Sequence, residues 1–171
     1  MLIAQHDVVE VRSGFLGLGV YVCGDIPAGV VLVNGWGFPA PRRTKHSVQV
    51  DFDAHLEVDP PLVYVNHSCD PNCGLLIDRR QEVLQLHTLH AIHEGEELSI
   101  DYDTFEDEIK FMPGQCLCGA QNCRGRIRGF RHLSCSQAEQ LVERHGRYVA
   151  DYLRRELNTA GLEAALPVEL R

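Results

Sequence analysis

The run Asn66-His67-Ser68-Cys69-Asp70-Pro71-Asn72 follows directly on the apolar stretch Leu62–Val65. Its Asn, His, Ser and Asp side chains bond readily to nearby backbone groups, so it reads as a tight irregular segment, either a plain turn or a cradle for a ligand. A Cys69/His67 nucleophile pair is a third reading. Residues two apart on an extended chain point the same way, but this pair has no natural third group to orient it. Downstream, Gly95-Glu96-Glu97-Leu98-Ser99-Ile100-Asp101-Tyr102 reads as a strand. Alternation puts Leu98, Ile100 and Tyr102 on one face and Glu97, Ser99 and Asp101 on the other. A phenol at the end of an apolar stripe either caps a core or faces a pocket. From Glu94 to Glu108 there are eight acids and no base. Such a run is a solvated face, or, beside a pocket, an attractor for a cationic side chain.

The third constellation is Cys116-Leu117-Cys118 with Cys123, a C-x-C-x4-C cluster in a Gly- and Asn-containing loop. Three thiolates in eight residues can wrap one ion, and a closed zinc site needs a fourth ligand, for which Cys69 and Cys73 are the nearest candidates. Unligated buried thiols are the alternative. His87, His90 and His93 do not form a comparable set, because on a strand His90 points away from the other two. Arg124, Arg126, Arg128 and Arg131 read as a solvated stretch or a substrate rim rather than a nucleic-acid patch.

Around these motifs the chain consists of short β-rich pieces between Gly, Pro, Asn and Asp. They are Val8–Arg12, Val20–Cys23, Val30–Val33, Ser47–Val50, Leu62–Val65, Leu75–Asp78, Val83–Ile92 and Glu97–Tyr102. Asp25–Gly29 and Ala91–Gly95 are similar turns, each delivering the chain into a strand. The spacing of Ala138, Leu141, Val142, His145, Val149, Tyr152 and Leu153 predicts a helix, with Ser136 and Glu139 as its capping box. Its apolar face is expected to pack on the body of the domain, and the tail after Leu157 to fray.

The length of 171 residues fits one domain, and 44% hydrophobic content supplies a core without disulfides. A net charge of −8 argues against a general nucleic-acid or anionic-membrane binder and favours a basic partner. No secretion signal or membrane-length apolar run is present in the sequence, and seven cysteines is an odd number, so a soluble protein of a reducing, intracellular compartment is expected.

Taken in order, Gly17-Leu18-Gly19, the 66–72 run, the 95–102 run and the Cys116–Cys123 cluster resemble a SET-domain protein-lysine methyltransferase with a post-SET loop, over roughly residues 6–130. The resemblance implies a mainly β fold of several small sheets with a pseudoknot, a zinc-binding post-SET loop and a C-terminal α-helix. The corresponding divisions are 6–110 for the SET domain, 111–130 for the post-SET loop and 131–171 for a helical extension. It further implies that Gly17, Leu18, Gly19, Asn66 and His67 bind S-adenosylmethionine, with Leu117 over the adenine. Tyr102 would be the catalytic tyrosine. Cys69, Cys116, Cys118 and Cys123 would hold one structural zinc ion.

The chain also departs from that pattern. No cysteine-rich pre-SET stretch lies ahead of the domain in this sequence, the insert between Trp36 and Asp59 is short, and Val63 stands where an Arg often starts the middle motif. Cys23, Cys73 and Cys135 match no family role and read as buried small hydrophobes. The implied substrate is a basic lysine-containing protein or peptide, with histone, histone-like and ribosomal proteins all open. No membrane role or direct nucleic-acid binding is expected, and a monomer or homodimer would serve. The competing reading is a catalytically weak, zinc-stabilised module that binds basic peptides. Ile100 and Phe105 are expected in the substrate pocket. Because Ile100 replaces a frequent aromatic residue, di- or trimethylation is expected, unless Phe105 or Phe111 fills the space. Lys45 and Lys110 are the only lysines, against 14 arginines, which reads as compositional bias.

Overall fold

A computed structural model describes residues 8–112 and 114–157. Strands β1 (Val9–Gly14) and β2 (Gly17–Val22) form an antiparallel hairpin that closes at the Gly14–Gly17 pair. Strands β3 (Val31–Pro39), β4 (Ser47–Asp51), β5 (Ala54–Val58), β7 (Cys73–Asp78) and β8 (Val83–Thr88) make an antiparallel sheet in the order β4-β5-β3-β8-β7. The short strands β6 (Asn66–His67) and β9 (Ser99–Ile100) pair in parallel. The two similar turns meet: Ile26 and Ile92 exchange backbone hydrogen bonds of 2.8 and 2.9 Å. Between the sheets lies one core, in which Val20, Leu32, Val33, Leu84, Leu86, Ile92 and Leu98 are all buried. Each contributes about 1.5–3 kcal/mol by leaving water. No helix among the described residues is long and apolar enough to cross a membrane.

Several expected strands differ from this arrangement. Leu62–Tyr64 is a 3-10 turn rather than a strand, because Pro60-Pro61 just before it cannot donate to a ladder. The strand expected over 83–92 ends at Thr88, where Thr88 Oγ1 donates to Pro27 O and the chain enters the turn. The one expected over 97–102 is a strand at 99–100 alone, and Asp101 caps a 3-10 turn over Tyr102–Thr104 by accepting from Asp103 N. Strand β5 was not anticipated, although Leu56 and Val58 face inward with strand periodicity.

The C-terminal helix α1 spans Cys135–His145, and its capping box is Ser134 with Gln137, two residues before the expected pair. Ser134 Oγ takes the Gln137 N–H and Gln137 returns a bond to Ser134 N. That choice turns Ala138 and Leu141 inward, where they pack with Phe130, Val149, Tyr152 and Leu153. The expected single helix is broken at Gly146, and residues 151–157 form a second helical segment. The expected fraying after Leu157 lies outside the described residues, as do the first residues of the 6–110 division.

Candidate active site and metal centre

The parallel pairing of β6 with β9 brings the two polar motifs together. Ser68 N continues the pair with a 3.0 Å bond to Ile100 O. Asn72 clamps the same junction, since its Nδ2 donates to Glu97 O at 2.8 Å and its Oδ1 accepts from Ser99 N at 2.8 Å. Asn72 and Glu97 were quoted in the motifs without a role, and only the parallel pairing reveals one. This junction delivers Tyr102 to a cavity of about 370 Å³ that Ile100, Phe105, Leu16 and Asn66 also line. The Tyr102 hydroxyl donates to Val65 O at 2.9 Å, and the ring stands edge-on to Phe105 with centroids 5.7 Å apart. Burial, reinforced by the fields of Glu106 and Glu97, pushes the phenol pKa well above the ordinary tyrosine value. The hydroxyl therefore keeps its proton at neutral pH.

Gly17–Gly19, expected as a loop, is the paired start of β2; Gly17 has φ +108°, which favours glycine, and nothing lies within 4 Å of where a Cβ would project. Gly19 is packed instead: a Cβ there would collide with the Glu97 carboxylate. Asn66 Nδ2 bridges Leu18 O at 3.1 Å and Glu97 Oε1 at 2.7 Å, tying this segment to the cavity. An open Gly17 edge beside an exposed Leu18 leaves room for a small ligand's polar end.

The acidic run is solvated only in its first part, where Glu94 and Glu96 are exposed. Asp101, Asp103, Glu106 and Asp107 are buried. Arg124 grips Asp101 through both terminal nitrogens, at 2.8 and 2.6 Å, and reaches Asp103 at 3.0 Å. Arg131 pairs with Asp107 and Arg43 with Glu106. Arg124 and Arg131 are thus cross-links rather than a solvated rim. Glu106, on the cavity wall, has its pKa raised to about 7 by burial, against the opposing pull of Arg43.

The cysteines converge as well. The donor atoms of His67, Cys69, Cys116 and Cys118 lie within 4.8 Å of one another. Cys123 lies in the same loop, outside that group of four, its Sγ taking the Gly125 N–H at 3.4 Å and lying 4.0 Å from Cys116 O. Sulfurs about 2.3 Å from one tetrahedral zinc ion stand about 3.8 Å apart, and Cys69 Sγ lies 3.9 Å from Cys116 Sγ. Arg124 N–H points at Cys69 Sγ, 3.4 Å away, as a thiolate would favour. These residues fit a zinc ion.

His67 Nδ1 accepts from Tyr102 N at 3.2 Å, and burial lowers the ring's pKa to about 4. A neutral ring with that acceptor carries its proton on Nε2, which then donates to Cys69 Sγ 3.3 Å away. The ring is therefore placed to support a sulfur ligand rather than to be one. Leu117 is exposed between its two cysteines. Cys73 is buried in the sheet core, as expected, and outside the cluster. Cys23 and Cys135, expected to be buried, are exposed, since one follows β2 in a bend and the other opens α1 on its solvent side. His87 and His93 do not meet: the first lies beside Gln85 and the second beside Asp25.

The family described as the SET domain matches residues 17–103. A methyltransferase of Aspergillus flavus, flvH, is 33% identical over 112 residues, covering 65% of this chain and 61% of that protein. The histone-lysine N-methyltransferase trr of Drosophila melanogaster is 32% identical over 143 residues, 70% of this chain and 6% of that protein. Among solved structures, KRYPTONITE in complex with mCHG DNA and SAH aligns with a TM-score of 0.58 and 26% identity, over 72% of this chain and 30% of that one. KRYPTONITE bound to mCHH DNA, an H3(1–15) peptide and SAH aligns at 0.54 and 27%, over 69% and 29%. The chain thus spans less than two thirds of these relatives' own lengths.

Proposed function

Because the chain belongs to the SET domain family, we propose that it methylates lysine side chains of a protein substrate using S-adenosylmethionine. The observation that carries this reading is a protonated, fixed Tyr102 hydroxyl in a cavity walled by Ile100 and Phe105 and joined through Asn66 to the Gly17–Gly19 segment. When bound, the cofactor supplies an electrophilic methyl group on a sulfonium. Gly17, Leu18, Gly19, Asn66 and His67 would hold it, and Leu117 would cover its adenine.

The protein's own task is to present a neutral amine in line. Free lysine has a pKa of about 10.4, so deprotonation at pH 7.4 costs about 4 kcal/mol. The apolar walls Ile100, Phe105 and Leu62 disfavour the ammonium, which loses its proton to solvent on entering. Tyr102 has committed its proton to Val65 O, so its free lone pairs accept an amine N–H and aim the nitrogen. It orients and does not act as a base. Cys69, Cys116, Cys118 and Cys123 would hold one zinc ion, which would pin the loop to the 66–72 motif, with His67 bonded to Cys69.

We assign residues 6–110 to the SET domain, 111–130 to the post-SET zinc loop and 131–171 to a C-terminal extension. The substrate is a basic protein, histone, histone-like or ribosomal, and the H3 peptide bound to KRYPTONITE supports the first of these. The setting is intracellular and not secreted, cytoplasmic or nuclear/nucleoid, with the protein a monomer or homodimer. Methyl transfer to a panel of basic proteins is the test. Incorporation into lysine supports an enzyme, whereas peptide binding without incorporation leaves the catalytically weak binding module.

A further inference from the structure

The sequence holds two lysines, Lys45 and Lys110, against 14 arginines. Both line the cavity that contains Tyr102. Two of two is hard to ascribe to composition, because bias explains how few lysines there are and not where they stand. Their surroundings differ. Lys110 Nζ is held by Glu108 Oε2 at 3.3 Å. No ion pair of Lys45 occurs among the described residues.

Lys45 also sits at the tip of a pinned turn. Thr44 N donates to Ser47 Oγ at 2.9 Å, Thr44 Oγ1 donates to Glu57 Oε1 at 2.8 Å, and Arg43 is fixed to Glu106. A flexible four-carbon stem on a fixed base explores a small volume, which raises the local concentration of its amine at that wall.

We propose that Lys45 is methylated by the active site of its own chain; this rests on the methyltransferase reading above. The ammonium first gives a proton to solvent. The Nζ lone pair then forms the N–C bond while the C–S electron pair stays on sulfur, giving a methylammonium and the neutral thioether S-adenosylhomocysteine. Lys45 and an incoming substrate lysine use the same cavity, so the two reactions compete.

The test incubates the full chain with S-adenosylmethionine and no other protein, then maps the 14-Da additions by mass spectrometry. The expected result is label at position 45, at a rate per molecule independent of protein concentration, falling about tenfold or more in Lys45→Arg and in Tyr102→Phe. A cofactor-free readout accompanies it: brief acetylation with an amine-reactive ester should modify Lys45 about threefold faster than Lys110, whose Nζ is engaged by Glu108. Label on Lys110 alone, a rate rising with concentration, or equal acetylation of the two lysines overturns the assignment. No self-label while a basic peptide is methylated overturns the inference and spares the function. Methylation of neither chain nor peptide, with the cofactor shown to bind, overturns both.

Discussion

The hydroxyl of Tyr102 has one proton and gives it to Val65 O, so what it offers a substrate is an acceptor at a fixed position. Tyr102→Phe should therefore cost about 100-fold or more in turnover while leaving S-adenosylmethionine affinity within about twofold. Asn66→Ala should do the reverse, because the carboxamide ties the Gly17–Gly19 segment to Glu97. Calorimetric binding and turnover on both variants check this, and equal losses in both quantities would contradict the assigned roles. Ile100 carries no hydroxyl beside the amine site, so wild type should proceed beyond monomethyl-lysine and Ile100→Tyr should stop earlier. Product masses at long times decide it. Phe105 sits edge-on to Tyr102, and a wild type that halts at one methyl would mean that its ring takes the space Ile100 leaves. Ile100 and Tyr102 were legible in the alternation of 97–102. Phe105 was also expected in the pocket and lines the cavity, but its edge-on contact with Tyr102 was not legible, because the chain leaves the strand for a 3-10 turn after Asp101 and period-two reasoning stops there.

At the scale of elements, the cysteine loop and the 66–72 motif act as one unit through Cys69, and Arg124 adds a second tie through Asp101. Chelation should consequently lower both melting temperature and S-adenosylmethionine affinity, and metal analysis should find about one zinc per chain. Full activity in metal-free protein would count against this. The buried acids give a pH test. The Glu106 carboxyl is raised to about 7 from an ordinary 4.5, so the folded chain keeps a proton that the unfolded chain releases, and its contribution to stability falls as pH rises across that window. Arg43→Met removes the group that opposes this shift. The variant should lose on the order of 2–3 kcal/mol at pH 8.5, and clearly less at pH 5.5, where Glu106 is protonated. Urea unfolding at the two pH values measures it, and an equal loss at both would show that Glu106 is not the group responsible. The strands β2, β3, β7 and β8 could be anticipated from apolar runs between turn residues. The 101–107 acids misled because composition says nothing of partners, whereas Glu94 and Glu96 are exposed as expected. Arg43, Arg124 and Arg131 lie 63, 23 and 24 residues from the acids they neutralise.

At the scale of the molecule, the C-terminal segment forms part of the cavity's support. The Tyr152 hydroxyl bonds Phe105 O at 2.7 Å, Ala150 N bonds Thr104 O at 2.8 Å, and Tyr152 stacks edge-on against Phe52. These contacts fix the backbone on which Phe105 and Glu106 face the cavity, although the matched SET domain ends at residue 103. The helical spacing of Tyr152 and Leu153 marked a buried face, but spacing alone could not say that it would cover the loop after Tyr102. Phenol and buttress thus wall one cavity, to which Asn66 ties Gly17–Gly19 and to which His67 links the cysteine cluster through Tyr102 N, in a chain of net charge −8. The most direct test is mass spectrometry of methylated lysines in a lysate treated with the pure protein and S-adenosylmethionine, beside the same lysate treated with Tyr102→Phe. The account predicts new methyl-lysines confined to one or a few basic proteins with wild type and absent with the variant. Identical methyl-lysine profiles for the two, with zinc and cofactor bound in both, would contradict it.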